Sequence, residues 1–441
     1  MAVLASRDRR ILALAVPATV TLIADPVMGL VDTAVVGRLG AAQLGAMGLS
    51  LAVFSAVSWI FNFLVYGTTS TVARAVGAGD REAAGRRVVH ATQVALVLGL
   101  VIGVALWLLT PTLVRALGAV DELVDPAVEY LRIRAVGAPL VLLAFVGHGA
   151  FRGVSNTRTP LLVAIGSNLV NAVLTFVLVF PLGLGLAGAA WATVVAEAVA
   201  VLAFVLLFRR VGLPLIGHRW PDRTQLVALV VVSRDLFLRT GGLLLGLLAV
   251  SSAAARIGAV PAAAHQVLFQ TFMLISFLMD GFAVAGQAMV GTALGAGDED
   301  EARATGRALL RWGIGGGATM ALLLLVATPI GPRILTDEPT VLVAATAVWW
   351  LVAVGQVVSG PVFALDGVFM GAEDFAYLRT WTVIAAVVGG TTAQLVATFG
   401  GGLLGLWLAV QAMMLVRLLS LLLRLRGSGW TRTGADLVSE R

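Results

Sequence analysis

The 441-residue sequence predicts an all-α polytopic membrane protein with twelve transmembrane helices in two pseudo-symmetric six-helix bundles. Hydrophobic residues make up 59% of the chain and charged residues only 12%, whereas a soluble protein carries about 25% charged residues. Short motifs also recur at an offset of 218 residues: GAGD occurs at 77–80 and 295–298, and VG at 136–137 and 354–355. A constant offset over more than a hundred residues indicates an internal duplication.

The first copy contains six apolar runs separated by Gly, Pro or charged residues. Their approximate spans are 11–38, 44–77, 88–110, 127–152, 159–181 and 184–208. Most exceed the roughly 20 residues that a helix needs to cross a bilayer. We therefore predict an N-terminal six-helix lobe over 1–208, followed by a cytoplasmic linker over 209–225 in which Arg residues are frequent.

The second copy gives six further helices and a C-terminal lobe over 226–426. Their approximate spans are 226–256, 261–295, 302–326, 341–371, 376–399 and 402–426. Residues 427–441 form a polar tail. Gly in each GAGD turn can end a helix, and Asp80 and Asp298 are suited to cap the helix that follows.

The distribution of Arg predicts the orientation. The net charge is +6 and every one of the 30 basic residues is Arg. These residues are concentrated before the first helix, in the loops that follow even-numbered helices, in the linker and in the tail. The positive-inside rule therefore places both termini in the cytoplasm, and we expect the protein to be located in the inner (cytoplasmic) membrane. Scattered Arg serves topology and lipid contact, so we expect no nucleic-acid partner. No cleavable signal is evident, and we expect the first span to act as its own insertion signal.

The first predicted helix carries two acids, Asp25 and Asp32. They are seven residues apart, about two turns, so both carboxylates share one face. Because an ionisable group inside a membrane helix is costly, both are candidates for binding a coupling cation. Pro26 removes a backbone donor and should bend this helix, and Pro17 is a second candidate kink. Alternatively, Asp25 serves only to repair the kink.

The fifth predicted helix carries Asn168, Asn171 and Thr175. Asn171 and Thr175 are four residues apart and share a face. They are suited to hydrogen-bond a carboxylate from the first helix. The alternative is that they join helices, which Asn and Thr commonly do in membranes.

The second half has a different polar set. Asp235 and Arg239 lie four residues apart, so they either pair with each other or leave Arg239 available to an organic anion. Asp280 and Asp366 lie within apolar helices, and the 218-residue offset places them opposite Asn62 and His148. His148 has a side chain that can titrate near neutral pH, or it is a structural residue.

Uncharged polar residues in the second half are further candidates for a cavity wall or for helix–helix contacts: Gln266, Gln270 and Gln287. The chain has no cysteine, no phosphate-binding loop and no metal-binding motif. We therefore expect no ATP dependence and no cofactor other than H⁺ or Na⁺ as coupling ion. We also expect a functional monomer in the lipid bilayer with a small organic substrate.

Several of these motifs resemble one family of transporters. Residues 31–37 (VDTAVVG) resemble the first-helix signature of multidrug and toxic compound extrusion (MATE) transporters. Other motifs of this family are resembled by the GAGD turns, by Phe151-Arg-Gly153 and by residues 188–193 (GAAWAT). Ala24-Asp-Pro26, residues 234–240 (RDLFLRT) and 277–280 (FLMD) are similar to the DinF-like branch.

This resemblance implies twelve helices in two lobes around a central cleft and cation-driven export of drug-like molecules. It places the family's first-helix acid at Asp32, its fifth-helix Asn at Asn171, its sixth-helix Thr at Thr193 and its tenth-helix acid at Asp366. Where prokaryotic DinF-like members have a second acid in the fifth helix, this chain has Thr175. The seventh-helix Glu of the Na⁺-coupled branch has no clear counterpart, so the resemblance favours protons over Na⁺.

The predicted function is thus a secondary antiporter in the cytoplasmic membrane, with Asp32 as its main coupling residue. Two alternatives with the same architecture remain open. One is an exporter of organic anions, suggested by Arg239, and the other is a flippase for lipid-linked precursors. A membrane-embedded enzyme is disfavoured because the four His residues do not form a metal set at helical spacing.

Overall fold

The computed structural model describes residues 2–209, 211–214 and 223–434, and within these ranges the chain is helical throughout apart from short loops. Eleven of the described helices are long and apolar enough to cross a membrane. This confirms the predicted all-α membrane class.

Seven helices form the first half. Their bounds are α1 Ala2–Val36, α2 Ala41–Phe61, α3 Phe63–Gly77, α4 Arg81–Ala116, α5 Asp121–Gly153, α6 Arg158–Val179 and α7 Gly185–Phe208. A short 3₁₀ turn, Gly37–Leu39, follows α1. Helix α1 runs without interruption through Pro17 and Pro26.

Seven helices also form the second half. Their bounds are α8 Arg223–Ile257, α9 Ala259–Gly295, α10 Glu299–Val326, α11 Gly331–Leu335, α12 Pro339–Gly371, α13 Phe375–Phe399 and α14 Gly402–Arg426. The one-turn helix α11 lies in a predicted loop. Pro332 lies in its first turn, where proline is favoured because the missing N–H has no partner there anyway.

The second predicted span is not one continuous helix. It divides at Asn62 into α2 and α3, and the amides of Val65 and Tyr66 both point to the carbonyl of Asn62, at 3.1 and 3.5 Å. Asn is a weak helix former. The equivalent helix of the second half, α9, continues through the corresponding Asp280. When α2 and α3 are counted as one span, the described residues contain twelve.

The duplication extends to the turns. Asp80 and Asp298 each accept a hydrogen bond from the amide three residues later, at 2.7 and 2.8 Å. Both therefore cap a helix as predicted. Ser155 and Glu373, which the 218-residue offset relates, have φ of 58° and 57°. Such values are rare for residues other than glycine, so the same strained turn is built twice.

One close contact between helices is duplicated as well. A Cβ on Gly149 of α5 would lie 2.8 Å from the carbonyl oxygen of Val65 on α3. The equivalent Gly367 of α12 would place its Cβ 2.1 Å from the carbonyl oxygen of Ala283 on α9. Small residues let membrane helices approach this closely, so glycine is required at both positions.

The chain divides into two compact units. The N-terminal unit is Val20–Val227, and the C-terminal unit combines Met1–Thr19 with Ala228–Arg441. The first part of α1 thus belongs to the C-terminal unit, where Thr19 donates to the carbonyl of Leu278 at 3.2 Å. The predicted linker and tail fall partly on residues 210, 215–222 and 435–441, which lie outside the described residues.

The surface of the helices is apolar where lipid is expected. On α4, for example, Leu100, Val101, Val104 and Leu108 are all more than half exposed. A helix forms the hydrogen bonds of its backbone N–H and C=O groups internally, so a helix with apolar side chains on its surface is suited to contact lipid hydrocarbon. This surface supports the membrane assignment independently of composition.

Candidate functional site: a polar cluster in each unit

Asp32 of α1 lies at the centre of a polar cluster in the N-terminal unit. Its carboxylate is half-buried, and Oδ1 lies 3.2 Å from the hydroxyl of Thr175 on α6. Thr175 is fully buried. The helical face shared by Asn171 and Thr175 therefore points to the first helix, as its spacing indicated.

The cluster continues from α6 to α7. The Thr175 hydroxyl also lies 3.2 Å from Oδ1 of Asn171, and the Asn171 amide donates to the hydroxyl of Thr193 at 3.0 Å. Thr193 in turn donates to the carbonyl of Ala189 at 3.1 Å. Polar atoms from α1, α6 and α7 are thereby joined in one chain of hydrogen bonds.

The Thr175 hydroxyl can serve only one of its two acceptors at a time. A hydroxyl has a single hydrogen to donate, but it can also accept. When Asp32 is ionised, Thr175 donates to it. When Asp32 is protonated, Asp32 can donate to Thr175, whose hydrogen is then available to Asn171. The bond pattern thus depends on the protonation of Asp32.

The remaining candidates near this cluster are Asn168 of α6 and Asp25 of α1. Asn168 donates from its side chain to the carbonyl of Ala24 at 3.2 Å and so joins α6 to α1. This contact fits the helix-joining interpretation of Asn168. Asp25 lies within α1, but its side chain lies outside the described residues, so its predicted role stays a prediction.

Three residues beside Asp32 were missed by the sequence interpretation. Arg134 of α5 donates to Glu197 of α7 at 2.8 Å, and the charge of Arg134 acts on Asp32. Tyr130, one turn before Arg134 on α5, is buried and interacts electrostatically with all three charged groups. Glu197 could have been identified from the sequence, because it is an acid in the middle of an apolar predicted helix.

The C-terminal unit has a second charged cluster. Asp366 of α12 is buried, and its Oδ2 accepts a hydrogen bond from Arg239 of α8 at 2.6 Å. Arg417 of α14 donates to the same oxygen. Asp280 of α9 also interacts electrostatically with Arg417. Sequence analysis identified Asp366, Arg239 and Asp280 but not Arg417, although it is a charge within an apolar run.

The possible pairing between Asp235 and Arg239 is wrong. Asp235 instead binds Arg234 at 2.9 Å and Arg379 of α13 at 2.6 Å. Neighbours four residues apart on a helix gain only a few tenths of a kcal/mol from pairing. A buried guanidinium without a partner would cost several kcal/mol, and α12 places the Asp366 carboxylate against Arg239, so Arg239 binds Asp366.

The other polar candidates have different environments. Gln266 and Gln270 are exposed on α9, whereas Gln287 is buried. The backbone of Gln287 lies against Gly371 where α9 packs closely on α12, and the predicted role of its side chain stays a prediction. His148 packs edge-on against Phe204, with ring centroids 4.9 Å apart. That contact fits the structural interpretation of His148.

Comparison with known proteins agrees with this architecture. The sequence profile described as MatE matches residues 17–177 and 243–393, one segment in each repeat. The chain belongs to the MatE family. As a MATE-family protein it is a multi-pass membrane efflux transporter, and the resemblance noted from its motifs is confirmed. Proteins of this family are transporters rather than enzymes.

Two curated relatives in the MATE family span most of this chain. Protein DETOXIFICATION 44, chloroplastic, of Arabidopsis thaliana is 34% identical over an aligned length of 454. The alignment covers 96% of this chain and 82% of that protein. DNA damage-inducible protein F of Escherichia coli K12 is 30% identical over 436 residues, covering 96% and 92%. The second relative agrees with the predicted DinF-like branch.

Solved MATE structures have the same fold. A crystal structure of MATE in the bent conformation superposes with a TM-score of 0.89 at 23% identity, covering 95% of each chain. At this identity the likeness concerns the fold alone.

Proposed function

We propose that this chain exports organic or drug-like molecules across the cytoplasmic membrane in exchange for protons, with Asp32 as the residue that binds the proton. The observation that carries the proposal is the half-buried Asp32 carboxylate, which accepts a hydrogen bond from Thr175 of another helix. An acid in a membrane span is costly and marks an ion pathway.

The cycle uses the two protonation states of Asp32. With Asp32 ionised, the carrier holds its organic substrate. A proton from outside then binds the carboxylate, α1 bends near Pro26, and the substrate leaves on that side. Only an ion that binds one conformation better than another can shift the populations. Asp32 meets this requirement if its hydrogen bonds differ between the conformations.

Na⁺ is the alternative coupling ion, since the chain of hydrogen bonds from Asp32 through Thr175 and Asn171 to Thr193 contains carboxylate, amide and hydroxyl oxygens. Imposed gradients distinguish the two ions. Purified protein in liposomes is given a pH gradient alone or a Na⁺ gradient alone, with ethidium as a cationic probe and calcein as an anionic one. Transport driven by the pH gradient supports proton coupling, and transport driven by Na⁺ and indifferent to pH overturns it.

A second candidate function, export of organic anions, is favoured by one observation. Arg239 and Arg417 both donate to a single carboxylate oxygen of Asp366, so two guanidinium groups meet at one carboxylate, and Asp280 is a second acid that interacts with Arg417. Guanidinium groups bind carboxylates well. Arg239→Ala should reduce calcein transport at least about tenfold and spare ethidium. An equal effect on both probes would contradict anion recognition by Arg239.

The orientation remains a proposal of the same kind. The Arg distribution supports cytoplasmic termini. Cysteines introduced at Ser6 and Ser428 should react with an impermeant thiol reagent only after the cell membrane is opened. The chain has no native cysteine that would interfere.

A further inference from the structure

A buried ion pair lies one helical turn from the polar cluster of Asp32, because Glu197 follows Thr193 by four residues on α7. Arg134 and Glu197 are in contact at 2.8 Å, and their side chains are 6% and 17% exposed. Burying such a pair costs several kcal/mol in desolvation, which the attraction only partly recovers. A pair that does not add stability invites a functional explanation.

The local structure positions this pair. Gly137 on α5 leaves space for the Glu197 carboxylate, because a Cβ at position 137 would lie 2.6 Å from Oε2 of Glu197. The Arg134 guanidinium also lies over the ring of Phe54 of α2, 4.2 Å from its centroid. Cation–π contact stabilises the charged guanidinium. Glu197 of α7 and Phe54 of α2 thus both hold the Arg134 guanidinium in place.

The charges around Asp32 can be counted. Among the described residues, the ionisable groups that interact with it are Arg134 and Tyr130 from α5, and Glu197 from α7 interacts with those two. Thr175 from α6 adds a neutral hydroxyl. With Asp32 and Glu197 ionised, Arg134 charged and Tyr130 neutral, these four described side chains carry a net charge of −1. One proton brings it to zero.

We propose that Arg134 is the shared counter-ion of Asp32 and Glu197, so that these two carboxylates together take up one proton in each cycle. The proposal rests on the proton exchange proposed above. Arg134 neutralises one of the two carboxylates, so only the remaining negative charge takes up a proton. The proton comes from external water and forms an O–H bond on Asp32. Arg134 and Glu197 are positioning residues that set the pH at which this occurs.

Replacing Glu197 or Arg134 by glutamine should move the pH midpoint of Asp32 protonation in opposite directions. In Glu197→Gln the ionised site is already neutral, so protonation would create a net charge of +1 and the midpoint should fall. In Arg134→Gln the ionised site carries −2, so the midpoint should rise. We expect about a tenfold change in proton concentration in each case. The double variant restores −1 and should return towards the wild type.

The experiment is an infrared pH titration of the purified full-length protein, following the carboxyl C=O band that Asp32→Asn abolishes. It needs no transported substrate. Asp374→Asn, which removes the partner of Arg424 at a distance of 2.7 Å, is the matched control and should leave the midpoint unchanged. If Arg134→Gln does not fold, Glu197→Gln and the double variant still give the required comparison.

The outcomes separate the two proposals. Opposite shifts that cancel in the double variant support the shared counter-ion. An Asp32 band that titrates identically in Glu197→Gln and the wild type overturns the counter-ion proposal but leaves proton binding at Asp32 intact. If the wild type has no titrating band that depends on Asp32, both proposals fail.

Discussion

The hydroxyl of Thr175 lies 3.2 Å from Oδ1 of Asp32 and joins helix α6 to helix α1. The same hydroxyl is 3.2 Å from Oδ1 of Asn171. Since it has one hydrogen for two acceptors, the protonation of Asp32 decides which bond forms. A threonine thus fulfils a connecting role at a position where the resemblance led us to expect a second acid.

Thr175→Val should raise the pH at which Asp32 releases its proton. The variant removes the donor that stabilises the ionised carboxylate, and a hydrogen bond to a charged group contributes about 1.5 kcal/mol or more. This corresponds to about one pH unit, because 1.36 kcal/mol changes the equilibrium tenfold. The infrared titration of the Asp32 carboxyl band measures the shift directly.

Two further variants control this result. Thr175→Ser keeps the hydroxyl and should titrate like the wild type. Thr110→Val removes another buried hydroxyl of the same unit, which donates to the carbonyl of Leu106 on its own helix at 2.6 Å. It should also leave the midpoint in place. A midpoint unaltered by Thr175→Val would show that this hydroxyl does not stabilise ionised Asp32.

Asp366→Asn should destabilise the protein more than Arg417→Gln. The first change leaves two buried guanidinium groups without their carboxylate, at a cost of about 3–5 kcal/mol. The second leaves Asp366 bound to Arg239, so we expect a loss of about 1–2 kcal/mol. Thermal unfolding in detergent, followed by tryptophan fluorescence, gives the order. Equal losses would contradict a shared carboxylate.

Gly367→Ala should lower stability, whereas Gly315→Ala should not. A methyl group at position 367 meets the Ala283 carbonyl oxygen at 2.1 Å, and overpacking of this kind costs about 1–3 kcal/mol. A methyl group at position 315 meets nothing within 4 Å. There, alanine should be neutral or stabilising by up to about 1 kcal/mol. The same unfolding assay tests the pair, and similar melting temperatures would refute the close contact.

The contact between Arg7 and Glu301 should survive reversal of its charges. The pair is bidentate, with distances of 2.6 and 3.2 Å, and it attaches the start of α1 to α10. Arg7→Glu or Glu301→Arg alone should destabilise, and the double variant should recover about 1 kcal/mol. The exposed pair Arg86–Glu82, at 3.5 Å, is the control and should show almost no coupling energy. A vanishing coupling for Arg7–Glu301 would contradict the contact.

Properties that repeat along a helix could be predicted from the sequence. The spacing of Asn171 and Thr175 placed them on one face, and the structure turns that face towards Asp32. The 218-residue offset predicted equivalent turns at Asp80 and Asp298, and both cap helices. These features depend on local periodicity and capping, which a single sequence contains.

Pairings between helices could not be predicted in this way. Arg417 and Arg239 meet on Asp366 although 178 residues separate the two arginines, and no spacing rule relates α8, α12 and α14. Arg134 and Glu197 meet for the same reason, through the packing of α5 against α7. The break at Asn62 was also missed, because the apolar pattern continues on both sides of it. Tertiary packing decides each of these features.

The pH-gradient-driven transport of Asp32→Asn tests the proposed coupling most directly. Wild type, Asp32→Asn and the control Asp125→Asn, which changes an exposed acid of α5, are placed in liposomes with a pH gradient and with ethidium and calcein as probes. Coupling through Asp32 predicts that Asp32→Asn loses at least about nine-tenths of the gradient-driven transport, since its side chain cannot bind the proton, while Asp125→Asn retains it. Full gradient-driven transport by Asp32→Asn would contradict the proposed role of Asp32.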